Sequence, residues 1–337
     1  MDPDGGIGPE PTPPASLPTG PHPTIGPGTV RRMPSWPATV MGIGGAILFL
    51  VAIGMIGLVA SGDLVVQNPD SLGWLAVAGG LLFTAGLAYA AVRQISIRRY
   101  LPPDRYRGPS MILLIGMVLV LANVIAIPFL DEILGLVSGG SELSVLGQAV
   151  LLVSTQLALL LVTWLFVVRP RALEGVPVPG PDTPRAIRTG LLWGVGAWIV
   201  GSVVAVISAV VLEALGVEPT PQAAEEALAT VQPWIAIPAI VIVAPIAEEA
   251  FFRGVVFNAW LREVGRRWAY WGSAILFGVI HLNLFAFLPI VVLGLILAAV
   301  YDRTRNLWAP ITVHAVFNGT QVAIFYLDRA GLLPLPT

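Results

Sequence analysis

Long apolar stretches recur along this 337-residue chain, and each is close to the length of a membrane span. A helix needs about 20 apolar residues to cross the hydrocarbon core of a bilayer. Backbone polar groups must be hydrogen-bonded within the chain in that environment, so the stretches are predicted to be helices. Only 11% of the residues are charged, against about a quarter in a typical soluble domain. The pattern therefore predicts an all-α, polytopic transmembrane helical bundle.

About nine spans are predicted. They cover residues 38–61, 71–92, 110–130, 146–168, 189–212, 234–258, 268–283, 286–301 and 308–327. Residues 1–36 are rich in Pro and Gly and almost free of long apolar side chains, which predicts a disordered cytoplasmic tail. The first apolar stretch lies too far into the chain and is too long for a typical signal peptide, so it is predicted to be retained.

A Pro-rich stretch divides the predicted spans into two groups. Residues 170–188 contain five prolines and are predicted to be a linker. The first four spans would form an N-terminal group of helices within residues 37–169. The last five would form a second transmembrane domain within residues 189–330.

Most arginines fall in alternate predicted loops, and the loops between them carry no arginine but most of them carry Asp or Glu. The positive-inside rule then predicts a cytoplasmic N-terminus and an external C-terminus. All the cationic side chains are Arg, a bias typical of high-GC bacterial genomes. The expected location is therefore a bacterial plasma membrane, with the lipid bilayer as a partner.

Charge and cysteine usage exclude several classes of function. The net charge is −2 and no basic patch indicates nucleic-acid binding. The absence of cysteine excludes a disulfide scaffold, a thiol nucleophile and a Cys-ligated metal.

Ionisable and amide side chains lie within three of the last predicted spans. Charged groups inside a span are energetically costly and usually line a cavity. The segments are Ala-Glu-Glu-Ala-Phe-Phe-Arg, Phe-Gly-Val-Ile-His and His-Ala-Val-Phe-Asn. They contain Glu248, Glu249, Arg253, Phe277, His281, His314 and Asn318.

Spacing predicts which of these residues share a helix face. Glu249 and Arg253 are four residues apart and can pair, although such a pair could also serve only to join helices. Glu248 has no cation three or four residues further along, so it needs a partner from another helix or stays protonated. His314 and Asn318 face the same way, and the alternative for them is a structural hydrogen-bonded pair.

The depths of these residues permit one shared cavity that opens toward the cytoplasm. Counted from the predicted cytoplasmic interface, Glu248 and His281 lie roughly 20 Å deep, and His314 and Asn318 about 9 and 15 Å deep. Two prolines just before the Glu pair are predicted to bend the sixth span and help to open the cavity. These are Pro238 and Pro245.

The three motifs resemble those of a known family. Glu-Glu-x-x-x-Arg, Phe-x-x-x-His and His-x-x-x-Asn, in this order on successive apolar helices, resemble the CPBP family. These CAAX-protease and bacteriocin-processing intramembrane proteases, also called the Abi family, are related to the type II CAAX prenyl endopeptidases. The segment 306–311 also resembles the last motif region, and the resemblance covers about residues 233–326. It implies an endopeptidase for membrane-associated proteins or peptides, including CAAX-type prenylated ones.

The resemblance also implies a role for each motif residue. Glu248 would activate water with help from His281, and His314 and Asn318 would stabilise the oxyanion of the tetrahedral intermediate. Glu249, Arg253 and Phe277 would support this geometry. Peptide hydrolysis requires these functions: a base for water, an acid for the leaving amine and donors for the oxyanion.

A cofactor and two other kinds of protein remain as alternatives. Glu248, His281 and His314 are of the types that bind catalytic zinc, but no His-Glu-x-x-His is present, and a metal-free site is favoured. A non-catalytic member of the family could be a membrane scaffold or a bacteriocin-immunity protein. A transporter with a polar substrate path would favour internal repeats, which the chain lacks.

Overall fold

The described residues are 33–61, 64–65, 70–126, 129, 144–174 and 182–333 of a computed structural model. In these ranges the chain forms ten helices and no strand. They are α1 (Trp36–Ala60), α2 (Asp70–Arg98), α3 (Met111–Ala126), α4 (Val145–Val168), α5 (Thr183–Ala214), α6 (Ala223–Thr230), α7 (Pro233–Glu263), α8 (Arg266–Val279), α9 (Leu284–Thr304) and α10 (Trp308–Arg329). The predicted all-α polytopic bundle is confirmed.

Two predicted segments lie wholly or partly outside the described residues. Of the predicted tail, only residues 33–36 are described, and α1 begins at Trp36. Of the predicted linker, residues 175–181 lie outside the described ranges. The helix α5 begins within the predicted linker, at Thr183. Pro184 is tolerated there because the first N–H groups of a helix have no partner within the helix.

Each of the nine predicted spans corresponds to one of these helices, and six are long and apolar enough to cross a membrane. The six are α1, α2, α4, α5, α7 and α9. The helices α3 and α8 have only 16 and 14 residues. The 22-residue α10 is not among the six, because its polar side chains, His314 and Asn318 included, lower its hydropathy. The tenth helix, α6, is a short segment of 8 residues before α7.

The helix α7 is interrupted by two π-helical stretches. Ala239–Val243 and Phe252–Phe257 have π geometry, and the segment Ala244–Phe251 between them is α-helical. π turns are rare and often occur at functional sites. The short α segment carries both Glu248 and Glu249. The two π stretches therefore set the rotation of the Glu pair relative to the rest of α7.

Glycines of α5 let α10 approach closely. A Cβ at Gly190 would lie 2.5 Å from the Thr312 Cβ, and one at Gly194 would lie 2.6 Å from the Val316 Cβ. Small residues permit such close contacts between helices in membranes. His314 lies about 200° around the helix from Thr312. The contact with α5 therefore turns His314 away from α5, on the side where it meets α7.

Candidate active site

Arg253, Glu249 and His314 form a buried row of hydrogen-bonded groups. The Arg253 Nη1 donates to the Glu249 Oε1 at 2.9 Å, which confirms the pair predicted from their spacing. The His314 Nδ1 lies 3.0 Å from the same oxygen. A carboxylate oxygen can only accept, so this nitrogen carries the proton. Glu249, with a fully buried side chain, thereby fixes the tautomer of His314 and the orientation of its ring.

Glu248 lies beside this row in a different environment. Its side chain is 13% exposed, and its Oε2 is 4.0 Å from the His314 Nε2. Among the described residues that oxygen accepts no hydrogen bond. In a neutral His314 with a protonated Nδ1, the Nε2 is also an acceptor. The two facing atoms therefore attract each other only when one of them holds a proton.

Phe277 and α9 hold the Arg253 guanidinium from two further sides. The Arg253 Nη2 donates to the Gly294 carbonyl at 3.0 Å. Its Cζ lies 4.7 Å from the centre of the Phe277 ring, within cation–π range. The same ring makes edge contacts with both imidazoles, at 5.0 Å from His281 and 5.7 Å from His314. Phe277 therefore contacts both histidines and supports Arg253.

His281 follows the end of α8 and is exposed. Its Nδ1 lies 2.7 Å from the Phe277 carbonyl oxygen. Because a carbonyl can only accept, the Nδ1 donates, and the Nε2 of the neutral ring is left as a free acceptor. Within the described part of the chain, no ion pair joins His281 to Glu248. The structure thus brings Glu248, Glu249, Arg253 and His314 together, and His281 contacts Phe277, whose ring also contacts His314.

Asn318 bonds the backbone of α7 in the first π stretch. Its Nδ2 donates to the Ile240 carbonyl at 2.9 Å. In a π turn that carbonyl would pair with the N–H group five residues on, and that residue is Pro245, which has none. Asn318 supplies the missing donor. Its amide has a second N–H, and oxyanion binding stays a prediction for that group.

Asn258 is a buried polar residue at the site that the sequence analysis missed. It is 4% exposed. Its Nδ2 lies 2.7 Å from the Arg253 carbonyl, 3.2 Å from the Gly254 carbonyl and 2.7 Å from the Tyr301 hydroxyl. In the sequence, Asn258 is the last residue of the sixth predicted span. The only available signal was an amide in an apolar segment, five residues after Arg253.

The three residues that would bind zinc are only partly assembled. Glu248 and His314 face each other at 4.0 Å, whereas among the described residues His281 makes no such approach to Glu248. A catalytic zinc needs three protein ligands at about 2.0–2.2 Å. Over the ranges that the structure describes, no three His, Asp or Glu side chains form such a group. As they are placed, these three side chains do not form a zinc site.

Comparisons with known proteins match the segment that contains this site. Residues 230–320 match the model of the family described as "Type II CAAX prenyl endopeptidase Rce1-like". One curated relative is the protein named "Putative membrane peptidase YdiL" of Bacillus subtilis (strain 168), which is 36% identical over 87 residues. The match covers 26% of this chain and 35% of the relative, so the chain spans about a third of that protein's length. No solved structure matches the chain.

All three motifs lie inside the matched segment. The family that they resemble and the family that the model describes are both of the CAAX-protease type. Residues 230–320 are therefore similar to the Rce1-like family of type II CAAX prenyl endopeptidases, in agreement with the resemblance of the motifs.

Proposed function

We propose that this integral membrane protein is an endopeptidase in which Glu248 activates water to hydrolyse peptide bonds of membrane-associated proteins or peptides. One observation carries the proposal. Glu249 holds the His314 Nδ1 at 3.0 Å, and the His314 Nε2 faces the partly exposed Glu248 at 4.0 Å. One carboxylate thus orients an imidazole, and that imidazole faces a second carboxylate. The family match and the peptidase name of the curated relative support the reaction type.

Charge balance indicates where the row and Glu248 together hold a proton. With both Glu side chains ionised and His314 neutral, the two Glu and Arg253 together carry one net negative charge. An uncompensated charge is costly in a buried, apolar environment. One additional proton neutralises the group, and its two sites are the His314 Nε2 and the Glu248 Oε2. When the proton is on His314, Glu248 is a free carboxylate base.

Hydrolysis then follows in two steps. Glu248 takes a proton from water as the water oxygen attacks the carbonyl carbon of the substrate. The oxyanion that forms accepts hydrogen bonds from the imidazolium of His314 and from the second N–H of Asn318. The C–N bond breaks, and Glu248 returns its proton to the leaving amine. Both residues are then in their starting protonation states.

His281 is proposed to hold the attacking water. Its Nδ1 is committed to the Phe277 carbonyl, so its Nε2 can accept a hydrogen bond from water. This would orient the lone pair of the water oxygen toward the substrate while Glu248 accepts the other proton. His281 is exposed, so water and substrate can reach it.

The proposed orientation and substrates follow from the loop charges and the family. We place the N-terminus in the cytoplasm of a bacterium, the C-terminus outside, and the opening of the site toward the cytoplasm, because the arginine-bearing loops are predicted to be inside. Two substrate classes are consistent with the site: CAAX-type prenylated chains, and membrane peptides without a lipid.

Cleavage assays in proteoliposomes test the proposal. Three internally quenched peptides are used: a farnesylated peptide ending in a CAAX sequence, the same peptide without the lipid, and a transmembrane peptide. We expect the protein to cleave at least one of them, and the folded, inserted Glu248→Ala and His281→Ala variants to cleave none. Cleavage of the farnesylated peptide alone would assign the CAAX class. Full activity in both variants would instead favour the non-catalytic scaffold or immunity protein.

Metal removal tests the cofactor prediction. Purification in metal-free buffers followed by dialysis against a chelator is expected to leave the cleavage rate unchanged, because the proposed steps use only protein groups. The measurement is the rate before dialysis, after dialysis and after zinc is added back. A loss of activity that zinc restores would contradict the metal-free mechanism and would assign Glu248, His281 and His314 as candidate ligands.

A further inference from the structure

We propose that Asn258 is a positioning residue for the proposed catalytic row. It holds the second π-helical stretch of α7 in the geometry that lets Arg253 bond Glu249 and the Gly294 carbonyl of α9 at the same time. The inference rests on the proposed function, because it concerns the alignment of the same Glu and His side chains. The hydrogen bonds of Asn258 go to Arg253, Gly254 and Tyr301, none of which takes part in a proposed chemical step.

The π stretch is what places Arg253 and Asn258 on one face of α7. In an α-helix, residues five apart point about 140° away from each other. A π turn is wider and closes an i→i+5 hydrogen bond, which brings residues five apart closer to one face. Both side chains accordingly reach α9, where Arg253 donates to the Gly294 carbonyl and Asn258 donates to the Tyr301 hydroxyl. The π stretch thus places both side chains on one face of α7, which an uninterrupted α-helix would not do.

Asn258 also satisfies the backbone that the π stretch disturbs. Its amide donates to the carbonyl of Arg253 at 2.7 Å and lies 3.2 Å from that of Gly254. The bond to the Arg253 carbonyl, five residues back, favours the π geometry over a regular helix, in which side chain and carbonyl would point apart. The Tyr301 hydroxyl, on a side chain that is fully buried, fixes the position of Asn258 from the α9 side.

The position of Asn258 affects Glu248, the proposed base, through the hydrogen-bonded row. The Arg253 backbone is held by Asn258, and its guanidinium holds the Glu249 Oε1. The same oxygen orients the ring of His314, whose other nitrogen faces Glu248. If the π stretch relaxed to an α-helix, Asn258 would turn about 140° away from Arg253, and the two could no longer both reach α9. The 4.0 Å approach of His314 to Glu248 would then change. A misplacement of about 1 Å can cost roughly 100-fold in rate.

The test compares three variants with a matched control. Asn258→Leu keeps the approximate size but removes every donor. Asn258→Ser keeps a hydroxyl that can donate to the carbonyl four residues back. Tyr301→Phe removes only the contact with α9. The control is Ser273→Ala, because Ser273 is also fully buried but bonds only carbonyls of its own helix.

The assay is cleavage, in proteoliposomes, of whichever of the three quenched peptides the unchanged protein cleaves, with rates divided by the folded fraction. We expect Asn258→Leu to lower kcat about 10- to 100-fold at an unchanged KM. We also expect it to alter the pH profile of kcat, because the proton shared by His314 and Glu248 depends on their alignment. Asn258→Ser should keep part of the rate that Asn258→Leu loses, and Tyr301→Phe should lose less of the rate than Asn258→Leu does. The Ser273→Ala control should match the unchanged protein.

Different outcomes overturn different claims. A residue with only a structural role would lower the melting temperature and leave kcat per folded molecule and the pH profile as they were. If Asn258→Leu and Tyr301→Phe both give that result while Glu248→Ala is inactive, this inference is overturned and the proposed function stands. If Asn258→Leu does not fold, the same comparison is made with Asn258→Ser. Activity in Glu248→Ala, or no cleavage by the unchanged protein, would overturn the proposed function and this inference with it.

Discussion

Arg253→Met is expected to lower the free energy of unfolding by about 3–5 kcal/mol, the usual cost of removing one partner from a buried ion pair. Both side chains of the pair with Glu249 are fully buried. The substitution would leave the Glu249 carboxylate without its cation and the Gly294 carbonyl without its donor. The measurement is thermal unfolding in detergent, followed by tryptophan fluorescence.

A matched control is an arginine that makes the same kind of bond at the surface. Arg98 pairs with Glu263 at 3.0 Å, but the two side chains are 28% and 32% exposed. Solvent screening limits such pairs to about 1 kcal/mol or less, so Arg98→Met should have a small effect. Equal losses in the two variants would contradict the buried-charge account.

A double substitution separates charge from packing. Arg253→Met combined with Glu249→Gln removes both buried charges and keeps side chains of similar size. Replacing both members of a buried pair is often close to neutral for stability. We therefore expect the double variant to recover much of the stability that Arg253→Met loses. It should stay inactive, because His314 would no longer be held by a carboxylate.

Glu248→Gln is expected to reduce kcat about 100- to 10,000-fold, the range that a general base contributes. The glutamine amide has nearly the same shape but cannot take a proton from water. Stability should stay the same or rise slightly, because the Glu248 Oε2 receives no hydrogen bond from the described residues. The expected signature is thus a loss of activity without a loss of folding.

Single-turnover cleavage and thermal unfolding of the same preparation measure both quantities. Glu263→Gln is the control, because Glu263 lies on the same helix and its side chain is 32% exposed in a surface pair. It should keep the rate of the unchanged protein. A Glu248→Gln rate within tenfold of that rate would remove Glu248 from the role of base.

Several features of the fold and site followed from local rules. The apolar stretches predicted the helices, because spans of about 20 apolar residues need no long-range information. The i, i+4 spacing predicted the bond between Glu249 and Arg253, which the structure shows at 2.9 Å. The lack of a cation near Glu248 predicted either a partner from another helix or a protonated carboxyl, and the structure places the His314 Nε2 4.0 Å from it.

Other features depended on contacts that local rules do not contain. The two prolines indicated a disturbed helix, but whether α7 would kink or form π turns depended on donors elsewhere. One donor, Asn318, comes from α10, and another, Asn258, is fixed by Tyr301 of α9. His314 and Asn318 share a face as predicted, yet they bond different parts of α7. Residues that are distant in sequence decided each of these bonds.

The sequence by itself determined the helical membrane architecture, the family motifs and the pairing within one helix turn. These depend on apolar length and on spacings of three to five residues, which are properties of the local chain. Only the tertiary structure decided that Glu249 holds both Arg253 and His314, and that Glu248 faces His314. The physical reason is the low polarity of the interior. Each buried polar group there requires a partner, and the packing of α7, α9 and α10 selects which one it finds.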